Sequence, residues 1–175
     1  LRTNIVRNLG LTSSTVTAGF DNINQLTSWT AKESNGTLRQ NEQLGFGYDA
    51  AQNLHTRGNG GLKQTFTTDA ADELNSVARS GTFTVSGATP APATSVTVNG
   101  NSAQTYGDFT FAATNLTLAN GNNAFAIVAQ NAYGVTVTNS LTLNLPASVT
   151  LGYDNNGNLT NDGSKTFSYD TENQL

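Results

Sequence analysis

Residues 153–159 read YDNNGNL and residues 169–175 read YDTENQL: Tyr-Asp, three further residues, Asn or Gln, then Leu, written twice sixteen positions apart. Worn copies stand earlier in the chain, FDNINQL from Phe20, YDAAQNL from Tyr48 and TDAADEL from Thr68. The five starts are separated by 28, 20, 85 and 16 residues. Three of these spacings fit a unit of roughly twenty residues, and recurrence at such a period marks supersecondary units that stack on one another. The remaining spacing is too long by some 65 residues, so a separate module is expected between the third copy and the fourth.

Each copy has the chemistry of a hairpin. An aromatic lead-in (LGFGYD, QTFTTD, VTLGYD, TFSYD) is followed by Asp, by Gly, Asn or other turn residues, and by the Leu that begins a return strand. The Asp carboxylate can accept the amide protons of the turn, and residues that tolerate the left-handed region can close it. Gly157 and Asn24 suit that position; Gln52 suits it less well. One such hairpin is marginal in water, whereas stacked copies with Tyr and Leu against like residues bury a continuous face.

The intervening text, Ser80 to Leu145, is of another kind. Alternation in TFTVS, SVTVN and LTLNL, with Asn-Gly at 99–100 and 120–121, points to six or seven short antiparallel strands. Pro90, Pro92 and Pro146 mark loops that cannot join a ladder. A two-sheet sandwich is expected, with Phe83, Val85, Val96, Val98, Phe109, Leu116, Leu118, Phe125, Ile127, Val137, Leu141 and Leu143 inside. The chain then divides into repeat hairpins over 1–78, the sandwich over 79–147 and repeat hairpins again over 148–175.

Composition agrees. Thr and Asn together supply about 50 of 175 residues, with 17 Gly, which favours strands and turns over helices. Charged residues make up 11% and the net charge is −4, so the surface has little to offer a phosphate backbone, and nucleic-acid binding is not expected. Apolar runs fall far short of the ~20 residues that span a bilayer, which argues against membrane insertion. With no Cys there is no disulfide framework, thiolate cluster or cysteine nucleophile. The first residue is Leu and no signal peptide is recognisable, as expected of a portion of a longer protein.

Catalytic and metal-binding patterns are missing. His55, in NLHTRGNG, is the only histidine and has no nucleophile context. Asp154 to Asn158 lacks the calcium-loop order, with Gly fourth and Lys165 at the twelfth place. The Asp residues recur serially, where a glycosidase pair would be unique. No catalytic residue, metal or cofactor is therefore expected, and the chain reads as non-enzymatic. Trp29, with Phe20 nearby, and either Tyr106 or Tyr133 could make a sugar-stacking platform, although aromatics on strands more often pack internally.

The copies resemble the YD repeat of the Rhs family, Tyr-Asp-x-x-Gly-Asn/Arg-Leu. Tyr153, Asp154, Gly157, Asn158 and Leu159 match every specified position; Tyr48, Asp49, Asn53 and Leu54 match with Gln52 in place of Gly; Tyr169, Asp170 and Leu175 match in part. Phe20, Asp21 and Leu26, and Asp69 and Leu74, carry the worn copies. The stretch GNNAFAIVAQNAYG resembles the last hairpin of bacterial immunoglobulin-like modules. The resemblance implies an all-β protein: a segment of a YD-repeat sheet, ribbon or shell, interrupted by a small immunoglobulin-like β-sandwich, in a secreted or cell-surface bacterial protein. Its expected role is structural or interactive. The partners would be further repeats of the same chain or neighbouring copies joined through strand edges. Two other roles stay open: part of the shell enclosing a secreted toxin, although the Asp-Pro-x-Gly self-cleavage motif is absent, and a module binding surface glycans.

Overall fold

The computed structural model describes residues 4–9 and 12–175, and among these there is no helix. Seventeen strands follow in order: β1 (Asn4–Leu9), β2 (Thr12–Phe20), β3 (Leu26–Glu33), β4 (Leu38–Tyr48), β5 (Leu54–Asn59), β6 (Leu62–Thr68), β7 (Leu74–Gly81), β8 (Phe83–Ala88), β9 (Ser95–Val98), β10 (Asn101–Ser102), β11 (Gln104–Thr105), β12 (Thr110–Leu116), β13 (Gly121–Gln130), β14 (Thr136–Leu145), β15 (Ser148–Thr150), β16 (Gly152–Tyr153) and β17 (Leu159–Asn161). All pairing is antiparallel, as short Thr-rich strands joined by tight turns require.

The first seven strands form a meander, and its eighth neighbour is β15, in the order β1-β2-β3-β4-β5-β6-β7-β15. Val149 lies opposite Val77, so the sheet, here called the wall, resumes after the chain has gone out through β8 to β14 and come back. The hairpins at 20–26, 48–54 and 68–74 turn at one end of the wall. At the other end lie the turns after β3 and β5 and the exit from β7. Gly81 at that exit has φ +84, and a Cβ there would stand 2.1 Å from the Gly61 carbonyl oxygen, so the chain leaves the wall where only glycine fits.

Strands β8 to β14 make two facing sheets, β11-β12-β8 and β10-β9-β13-β14. Between them Val85, Val96, Val98, Phe111, Ala113, Leu116 and Phe125 form a core, with Phe83, Leu118, Ile127 and Leu143 packed against it. The Asn99-Gly100 turn has φ of 50° and 79°, the left-handed pair that a two-residue hairpin demands.

Three residues expected inside are not. Phe109 has φ 66 and lies in the turn before β12, outside the strand, so the aromatic that reaches the core is Phe111, on the strand itself. Val137 and Leu141 are 68% and 39% exposed. Both stand on β14, the fourth strand of a sheet that faces only three, so nothing lies over them.

Candidate functional site: the repeat turns and the junction

All five copies of the phrase make one turn. In each, the Asp amide donates to the carbonyl four residues on, and the amide three residues on donates back to the Asp carbonyl: Asp21, Asp49, Asp69, Asp154 and Asp170 pair in this way with Gln25, Asn53, Glu73, Asn158 and Gln174. The Asp Oδ1 accepts two further amides, two and four residues on, at 2.8–3.1 Å. The residue between them takes positive φ in every copy: Asn24, Gln52, Asp72, Gly157 and Asn173. Gln52 at φ 73 shows that the backbone pattern, once tied by Asp49, holds a residue with little liking for that region. Amides aimed at a carboxylate favour its charged form. Asp49 is held below the usual carboxylate range by the Asn53 amide first, against an opposing burial effect, with Asn53 Nδ2 and the Ala51 amide adding to it. Asp154 is held low by the Asn158 side chain and then by the amides of Asn158 and Asn156.

Neighbouring copies are tied in two ways. The Tyr48 hydroxyl donates to the Leu26 carbonyl at 3.0 Å, Tyr153 to Leu74 at 3.1 Å and Tyr169 to Leu159 at 3.1 Å. Each repeat Tyr therefore reaches the repeat Leu of the copy before it. Tyr153 does so across the whole interruption. Phe20 and Thr68, which replace Tyr in the worn copies, lack the phenol that makes the bond. The second tie runs between turns. Asn53 Nδ2 donates to Asp72 at 2.8 Å and Asn158 Nδ2 to Asn173 at 2.9 Å, each also holding its own Asp. Leu54 begins β5 opposite Tyr48, and Leu175 closes the last copy.

The same turn occurs where the phrase was not recognised. Asn131 Oδ1 accepts the amides of Tyr133 and Val135, and Gly134 takes φ 77, so the β13–β14 hairpin repeats the geometry with Asn for Asp. Asn131-Ala-Tyr-Gly-Val carried the signal: a short acceptor with Gly three places on. The turn from Glu33 to Thr37 has the same backbone bonds, but the Glu33 side chain is used elsewhere.

That use is the junction between wall and sandwich. Arg39, 3% exposed at the start of β4, donates to Glu33 at 2.5 Å, Glu42 at 2.7 Å, and across to Asp108 and the Thr110 hydroxyl of the sandwich at 2.9 Å each. Its guanidinium lies 4.7 Å from the centre of the Tyr106 ring. The Tyr106 hydroxyl donates to the Leu38 carbonyl and accepts the Gln40 amide, so this aromatic is buried between the two units. Burial works against the Arg39 charge, but the bonds from Glu33, Asp108 and Glu42 outweigh it and push its pKa up. Burial likewise opposes ionisation of Asp108, and the Thr110 hydroxyl and Arg39 overcome it, holding that carboxyl low. Tyr106 is pushed up, chiefly by burial. A second cation, Arg79, closes the place where the chain leaves and re-enters the wall, donating to the carbonyls of Leu145, Pro146 and Ala119. Nothing in the sequence couples Arg39 to Asp108, 69 residues away.

His55 is exposed, with Nδ1 3.0 Å from the Phe66 carbonyl oxygen. Tyr133 is 92% exposed at the β13–β14 turn, whereas Tyr106 is buried at the junction with Arg39 against its ring. Among the described residues no group of three His, Cys, Asp or Glu could hold a metal ion. Comparison of the sequence with protein-family models and with curated proteins gave no match.

Proposed function

We propose that this chain is a non-enzymatic structural segment of a bacterial extracellular or cell-surface protein of the Rhs, or YD-repeat, type. Its repeats build a wall, and an immunoglobulin-like module stands at the rim opposite the repeat turns. The observation that carries this reading is the bond from Tyr153 to Leu74, which links consecutive copies across the interruption as Tyr48 and Tyr169 link theirs. Groups placed this way serve the next repeat, not a substrate. The lateral ties favour growth by addition of hairpins, so the partners are further repeats of the same chain or of neighbouring copies.

Appending tandem copies of residues 160–175 after Leu175 tests the reading. Each added copy is expected to raise the unfolding temperature and to bring its own turn amides into slow exchange, the first tyrosine bonding the Leu175 carbonyl. Added copies that exchange freely and leave the unfolding temperature unchanged would refute it.

A further inference from the structure

The sandwich is one strand short on one side. Phe83 of β8 meets Phe125 of β13 with ring centroids 5.6 Å apart, so β8 lies over β13. The four-stranded sheet continues past β13 to β14, while the three-stranded sheet stops at β8. A groove of about 510 Å³ opens there, between the β8 edge at Ser86–Ala88 and the inner side of β14. Its floor includes Val137 and Leu141, which share the side of β14 that carries Leu143 onto the core. None of the residues lining it is charged.

We propose that this groove takes an extended, uncharged peptide strand of a separate partner protein, paired to the free edge of β8. The position of the bare residues decides the mode. A strand added beside β14, such as the β14 of a second copy, would extend the lower sheet and leave Val137 uncovered. A strand added beside β8 lies one inter-strand spacing farther, directly over β14, and covers it. The part of β8 that borders the groove is Ser86–Ala88, so the pairing is short, about 10 Å at ~3.3 Å per residue. Alternate side chains of the guest face the floor, so it carries small or β-branched apolar residues at every second position. A Lys or Glu on that side would lose its water with no partner in the lining. This inference stands on the sandwich alone and is independent of the repeat reading.

The test uses the 175-residue chain and a synthetic peptide of four Thr-Val pairs with one Lys at each end. Binding is expected to slow amide exchange at Ser86–Ala88 and to shift the methyl resonances of Val137 and Leu141. Val137→Lys, at an exposed position that does not burden the fold, is expected to weaken binding by about tenfold or more. A peptide with Lys in place of the inner valines should not bind. The proposal is overturned by slowed exchange along β14 with none at β8, by a dimer in light scattering that excludes the peptide, by undiminished binding to Val137→Lys, or by no binding at millimolar peptide.

Discussion

Of the buried apolar residues among the described part of the chain, nine lie between Val85 and Phe125 in the sandwich, while the wall, with eight strands, contributes Val16, Ala18 and Ala31. Most wall side chains are half-buried on a single layer. The sandwich is held as most small β domains are, by apolar side chains enclosed between two sheets. The wall is held by polar groups that recur with the repeat: the carboxylate in the turn, the tyrosine hydroxyl on the preceding leucine carbonyl, the asparagine amide on the following turn. Where each hairpin satisfies groups of its neighbour, a sheet can persist with little core of its own.

The largest effect that separates the two regions is expected from Phe125→Ala. Removing a buried ring from the centre of the core costs about 3–5 kcal/mol, and the sandwich amides should lose protection while those of β2 to β7 keep theirs. Equal loss in both regions, read by hydrogen exchange, would break the comparison. Arg39→Ala leaves Glu33 and Asp108 as buried charges without their cation, at 8% and 13% side-chain exposure, and is expected to cost about 3–5 kcal/mol in chemical denaturation. The earliest amides to open should be those of the 33–42 segment.

Smaller effects test the wall itself. Tyr153→Phe removes the hydroxyl bonded to Leu74 and should lower stability by about 1 kcal/mol, whereas Thr68→Tyr supplies the missing phenol and should give back a gain of similar size. Gln52→Gly relieves a left-handed backbone at φ 73 and should stabilise the second hairpin by up to about 1 kcal/mol in thermal unfolding. Acid acts on the same parts. The carboxyls of Asp49, Asp108 and Asp154 are held below their ordinary range, so their contribution is complete above an unfolded value of about 4 and is lost as pH falls through the lowered folded values. Exchange at the repeat turns and the 33–42 segment should quicken below about pH 4, before the sandwich core responds.

The turns were legible because everything that makes them lies within six residues: an Asp, a residue that accepts positive φ and a Leu to start the return strand. The turn at Asn131 escaped because Asn stands for Asp there and no Tyr precedes it. Core membership was legible where alternation was unbroken, as from Val96 to Val98, and misread at Phe109, which has positive φ in the turn before β12 and so stands outside the alternating strand.

The sequence alone determined the all-β character and the repeating turn, because each depends on local backbone preference. Only the tertiary structure decided that β15 rejoins β7, that Arg39 gathers Glu33, Glu42 and Asp108 at the junction, and that β14 extends beyond the sheet facing it. Those features depend on which groups distant in sequence come to share one low-dielectric space. Local preference carries no record of that.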